Sequence, residues 1–164
     1  MSDIILNRPN TRKGAAMAAE TGKDSVEKHS KTRTHSLQVE TRSRVEFKDI
    51  TGVIQRLITE SAAQQGTCIV FVPHTTAAVL VNENADPALL KDLDAFLKQL
   101  APRDRAYQHN DGNCDAHLKA SIIGTSKSLF FENGRLVLGT WQGIFFCEFD
   151  GPRRRELRVK IISD

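Results

Sequence analysis

Three histidines and a cluster of acids and amides are the residues of this chain best suited to chemistry. His74 closes an apolar run, "TCIVFVPH", and His109 and His117 bracket the polar stretch "HNDGNCDAH". Imidazole is the commonest side chain for metal ligation and for proton transfer near neutral pH. Three that converge would suit a zinc-like ion with an open fourth position. Taken singly, each reads equally as a surface or hydrogen-bonding histidine. Asn82, Glu83, Asn84 and Asp86 follow His74 across the short apolar segment "AAVLV". Glu83 sits at the end of an expected strand with no helix to cap, which leaves its carboxylate available. Asp86 precedes Pro87, so its plain role is a helix N-cap worth about 1 kcal/mol. Asn82 and Asn84 also read as turn formers.

A third motif is "GTWQG", Gly139–Gly143, which sets the chain's single tryptophan beside Gln142 between two glycines. Glycine within a strand marks a bulge or the close approach of a ligand or another backbone. Gln142 places an amide where a strand interior favours an apolar group. The run Arg153–Arg155 reads either as a solvated turn or as a local basic patch. Cys68 and Cys147 lie in apolar runs and are expected in the core. Cys114 has no basic neighbour in sequence to activate it as a nucleophile. The cysteine count is odd and no C-x-x-C is present, so neither a disulfide framework nor a zinc knuckle is indicated.

The elements that must position these groups are readable in outline. "HSLQVETRSRVEF" suggests an opening strand, or two with a turn near residues 41–44. Ile50, Val53, Ile54, Leu57 and Ile58 recur at helical spacing, with Asp49 as cap and Gly66 as stop. "TCIVFVPH" reads as a strand buried on both faces, and "AAVLVNE" as the next strand. Asp86-Pro87 opens a helix with Leu89, Leu90, Leu93, Phe96, Leu97 and Leu100 on one face, ended by Pro102. "HLKASIIG" is a short helix closed by Gly124. Asn133-Gly134 between apolar runs signals a hairpin within a β-rich last third. The order predicts an α+β domain with mixed, mainly antiparallel sheets, two longer helices and one short helix. No phosphate-binding glycine motif is present.

With 164 residues, one domain is expected, over residues 34–164, preceded by a disordered tail over residues 1–33. Residues 1–34 carry seven Lys/Arg against four Asp/Glu, while residues 35–164 carry sixteen of each. The net charge of +3 therefore belongs to the tail, and the neutral body argues against a nucleic-acid groove. No apolar run approaches the roughly 20 residues of a membrane span. No export signal is recognisable, so the expected location is the cytoplasm.

Together, "HTTAAVLVNENADP", "YQHNDGNCDAHLKASIIGTS" and "GRLVLGTWQGI" resemble the YjbQ-like family (UPF0047), whose members are described as secondary thiamine-phosphate synthases. The resemblance spans about residues 35–163. It implies a compact, sandwich-like α+β domain that assembles as a homotrimer, with a pocket near a subunit boundary. Mapped onto this chain, it implies metal ligands at His74, His109 and His117 and catalytic roles for Glu83, Asp86 and Gln142. Substrate contacts are implied for Thr75, Asn82, Trp141 and Arg153. The cofactor implied is a divalent metal ion, zinc-like on the histidines, with Mg²⁺ an alternative for a diphosphate substrate. The small-molecule reaction implied joins a pyrimidine methyl diphosphate to a thiazole phosphate. The alternatives are a non-catalytic trimer that binds a metal or small anion, and a metal-assisted hydrolase.

Overall fold

The computed structural model describes residues Ile4–Asn7 and 32–164. The elements run β1 (Ile4–Asn7), β2 (Thr32–Glu40), β3 (Glu46–Asp49), α1 (Thr51–Ser61), β4 (Gln65–Phe71), β5 (Ala77–Glu83), α2 (Pro87–Leu100), α3 (Cys114–Ile123), β6 (Ser126–Glu132), β7 (Arg135–Leu136), β8 (Gln142–Glu148) and β9 (Arg154–Ser163). Every pairing is antiparallel. One sheet has the order β1-β2-β9-β4-β6-β7 and the other the order β3-β8-β5. The α+β class with antiparallel, sandwich-like sheets and three helices is the one expected.

The two sheets enclose the main core. Leu37 and Val39 of β2, Cys68 and Val70 of β4, Phe131 of β6, and Leu157, Val159 and Ile161 of β9 meet Ile54, Leu57 and Ile58 of α1. Val79, Ile144 and Phe146 close this layer from the three-stranded sheet. The opposite face of that sheet holds a second core, in which Ala78, Phe145, Cys147 and Phe149 pack on Leu97, Ala116 and Ala120 of α2 and α3. Both sides of β8 are therefore apolar, and Gly143 through Glu148 are all buried.

Several sequence expectations shift. β4 alternates between buried and more exposed residues, so it is covered on one face only; β8 is the strand covered on both. α1 ends at Ala62 in the left-handed region, not at Gly66, which belongs to β4. Gly66 is required for close approach: a Cβ there would lie 2.0 Å from the Ile162 carbonyl oxygen. α3 starts at Cys114, three residues before His117, so that histidine occupies its second turn. The α1 N-cap is Ile50 and not Asp49, and Phe96 and Leu100 of the expected α2 face are exposed, while two local signals hold. Asp86 Oδ1 accepts from Ala88 N at 2.8 Å, and Pro87 opens α2. Asn133 and Gly134 both take positive φ in the β6–β7 turn, as a two-residue hairpin requires. The segment expected as a tail contributes Ile4–Asn7 as β1 and the first residues of β2; residues 1–3 and 8–31 lie outside the described residues. No helix among the described residues is long and apolar enough to cross a membrane.

Candidate functional site

The β5–β8 ladder separates the expected site residues into two groups. Ala77 pairs with Glu148 at one end and Glu83 with Gln142 at the other. Six residue steps at about 3.4 Å each put about 20 Å between those ends.

At the first end, β4 leaves the larger sheet at Pro73 and crosses to β5 through His74, Thr75 and Thr76. Proline has no N–H to continue a ladder, and His74 compensates: its Nε2 accepts the Glu156 N–H at 2.8 Å. Nε2 is therefore unprotonated, and the neutral ring carries its proton on Nδ1. Burial and the nearby Arg155 guanidinium hold the His74 pKa below its usual value, which favours that neutral form. Neither nitrogen then has a lone pair free for a metal ion. Beside it, Arg155 donates from Nε and Nη2 to the two Glu148 carboxylate oxygens at 2.7 and 2.6 Å, and from Nη2 to Thr76 Oγ1 at 2.7 Å. Glu148 Oε1 also accepts the Phe149 and Asp150 N–H groups at 3.1 and 2.9 Å. Both ionic partners are buried, and the added bonds to Thr76 and from the Phe149 and Asp150 N–H groups offset part of the cost of desolvating the two charges. Thr75 is exposed in the same loop.

A second ionic network ties α3 to this end. Arg44 bridges Asp150 and Asp115, each at 2.9 Å, and Lys119 pairs with Asp115 at 2.8 Å one helical turn on. Burial by itself would raise the Asp115 carboxyl; the Lys119 and Arg44 cations outweigh it and hold the pKa below the usual carboxylate range. Asp150 is held low in the same way by Asn113, Arg153 and Arg44 against its burial. Arg153 is committed to Asp150 through its Nη2, at 2.7 Å, yet stays half exposed. Just before and within α3, the His109 and His117 rings meet edge-on with centroids 5.1 Å apart. His109 Nε2 also lies 3.6 Å from Asp111 Oδ2. Two of the three expected imidazoles are thus together. Among the described residues, no set of three or more His, Cys, Asp or Glu is placed to hold a metal ion.

The far end of the ladder holds the other group. Glu83 is exposed opposite Gln142, and Asn82 lies half-buried opposite Gly143. Gln142 folds back so that its Oε1 accepts the Gly139 N–H at 2.8 Å. Asn84 takes the Trp141 carbonyl through its N–H at 2.7 Å and donates its side chain to Asp49 Oδ2 at 2.7 Å. A Cβ on Gly143 would lie 2.8 Å from the Asn84 Cβ, so the second glycine of "GTWQG" is there to admit Asn84. Trp141 is 67% exposed, an aromatic surface as open as that of Phe130 on β6 at 68%. Asp86 is engaged as the α2 cap.

Sequence reading did not single out Glu148, Arg155, Asp115, Lys119 or Arg44 as a connected system. A signal was present: Glu148 is an acid inside the apolar run "IFFCEF", and Asp115 and Lys119 stand four apart, on one helix face.

Residues 35–164 match the family described as UPF0047 protein YjbQ-like. A UPF0047 protein of Methanocaldococcus jannaschii is 50% identical over 77% of this chain and 92% of its own length. The UPF0047 protein YugU of Bacillus subtilis is 43% identical over 78% of this chain and 98% of its own. Among solved structures, a yjbq/upf0047 family protein of Clostridium acetobutylicum superposes with a TM-score of 0.76 at 46% identity, covering 77% of this chain and 98% of that one. A YbjQ-like protein of unknown function from Sulfolobus solfataricus superposes at 0.80 with 35% identity, covering 83% and 100%. The ladder that parts the histidine motifs from the Trp-Gln motif is therefore built on a shared fold, and the chain belongs to the YjbQ-like (UPF0047) family.

Proposed function

We propose that this protein is a transferase of the secondary thiamine-phosphate synthase type whose pocket is completed between copies of a homotrimer. The observation that carries the reading is the exposed Trp141, with Glu83 close by on the ladder, about 20 Å of strand away from the histidine end. One chain presents two half-sites, and a neighbouring copy can supply the missing half of each. His109 and His117 of one copy would face Glu83, Gln142 and Trp141 of the next.

In that pocket, the indole face of Trp141 stacks on a heteroaromatic ring. Glu83 orients or relays a proton, and Thr75 and Asn82 supply hydrogen bonds. The thiazole nitrogen bonds to the pyrimidine methylene carbon as the carbon–oxygen bond to diphosphate breaks. The exposed part of Arg153 helps balance the departing charge. A divalent ion on His109 and His117 would need further donors from the second copy or the substrate, and when bound would supply neutralisation of diphosphate. Asp86, held as a cap, acts by placing α2 after the Glu83 strand.

The test is turnover of the pyrimidine diphosphate and the thiazole phosphate to thiamine phosphate and diphosphate. Loss of turnover in His109→Ala and Glu83→Gln, with the fold retained, supports the transferase. A second reading is a non-catalytic trimer that binds a metal or small anion, favoured by the paired imidazoles and by the commitment of Glu148 and Asp150 to ion pairs. Tight binding of Zn²⁺ or phosphate without turnover would select it.

A further inference from the structure

We propose that Ile4–Asn7 is a self-donated guard strand that covers the Ser36–Val39 part of the β2 edge and keeps that stretch from pairing with the same edge of a second copy. β2 is nine residues long and pairs along its whole length with β9 on one side, from Thr32↔Ile162 to Glu40↔Arg154. Among the described residues, its other side is met only by β1, in the register Ile4↔Val39, Ile5↔Gln38, Leu6↔Leu37 and Asn7↔Ser36. Ile4 packs against the main core beside the inward-facing residues of β2. β1 is the terminal strand of its sheet and lies before residues 35–164, the ones matched by the family.

An uncovered edge of this kind exposes a row of backbone N–H and C=O groups, a template for another strand. Two β2 edges related by a two-fold axis would meet antiparallel, as β1 and β2 do, so a second copy is the occupant the geometry admits. The strand is thus held by its backbone ladder and by Ile4, and is the removable part of the six-stranded sheet.

Two variants of the full chain test this. Ile5→Pro with Leu6→Pro removes two successive β1 N–H groups, one of which must serve the β2 ladder. Ile5→Cys with Gln38→Cys, with Cys114→Ser in the background, joins directly opposed Cα positions, which antiparallel pairing holds within disulfide range. The expected results are faster amide exchange in the peptide spanning Ser36–Val39 for the proline variant, and a mass by light scattering that rises with concentration above that of the parent. The oxidised cysteine variant should cross-link within one chain and keep the parental mass. The proposal is overturned if the proline variant keeps both parental exchange and parental mass. It is also overturned if the cysteines fail to form an intrachain bond, or if the proline variant exchanges faster yet never associates further.

Discussion

His74 Nε2 accepts the Glu156 backbone N–H at 2.8 Å, so a histidine side chain continues a ladder that Pro73 interrupts. The imidazole is thereby fixed as the Nδ1–H tautomer, a donor toward anything that approaches Nδ1. ¹⁵N chemical shifts should show this tautomer near pH 7 and a titration below the ordinary histidine value, because burial and Arg155 disfavour the cation. A titration above about 6.5, or a proton on Nε2, would contradict the arrangement.

Glu148 and Arg155 form a two-point ion pair within the buried sandwich. Removing one partner strands the other. Arg155→Met and Glu148→Gln are each expected to cost about 3–5 kcal/mol in urea unfolding. A loss under about 1 kcal/mol would mean that water reaches the pair.

Acid should weaken the connection between α3 and the β8–β9 turn. Asp115 and Asp150 both have depressed folded pKa values. Their contribution is full above the ordinary Asp value of about 4 and is lost as pH falls through the folded values. Asp115→Asn should therefore flatten the acid limb of the stability profile. An unchanged limb would remove Asp115 from the account.

Asp86 separates a capping role from a chemical one. Asp86→Ala should cost about 1 kcal/mol of stability, while Asp86→Ser, which can still cap, should restore both stability and any turnover. Turnover that stays lost in the stable serine variant would give the carboxylate itself a place in the chemistry.

Gly66→Ala is expected to be among the most damaging single changes. The added Cβ would meet the Ile162 carbonyl oxygen at 2.0 Å, and φ is +150°. The strands must part, so a loss of at least about 3 kcal/mol is expected, read from the unfolding midpoint.

Local signals carried much of this fold. The Asp86-Pro87 cap, the Asn133-Gly134 turn and the apolar spacing of α1 each depend on neighbours in sequence, and each is realised. Gly66 was misread as a helix stop because its cause is Ile162, a distant β9 residue that no local pattern reveals. β4 and β8 are both apolar runs, and only the layer order decides that β8 is covered on both faces. The site was legible as motifs but not as geometry. The ladder from Ala77 to Glu83 explains why: the two motifs lie close in sequence yet sit at opposite ends of one strand.

The central claim is that the histidine end of one copy meets the Trp141 end of another, and two natural reporters test it directly. Trp141 is the chain's single tryptophan, and Cys114, at the start of α3, is the one cysteine of three that is not buried. Copies carrying Trp141→Phe and an acceptor dye on Cys114 can be mixed with unlabelled parental copies and allowed to exchange, with masses followed by light scattering. Energy transfer from Trp141 to the dye, growing as mixed trimers form and vanishing on dissociation, is the result expected. Trimers that mix without transfer, or a chain that stays monomeric at micromolar concentration, would contradict a pocket built between copies.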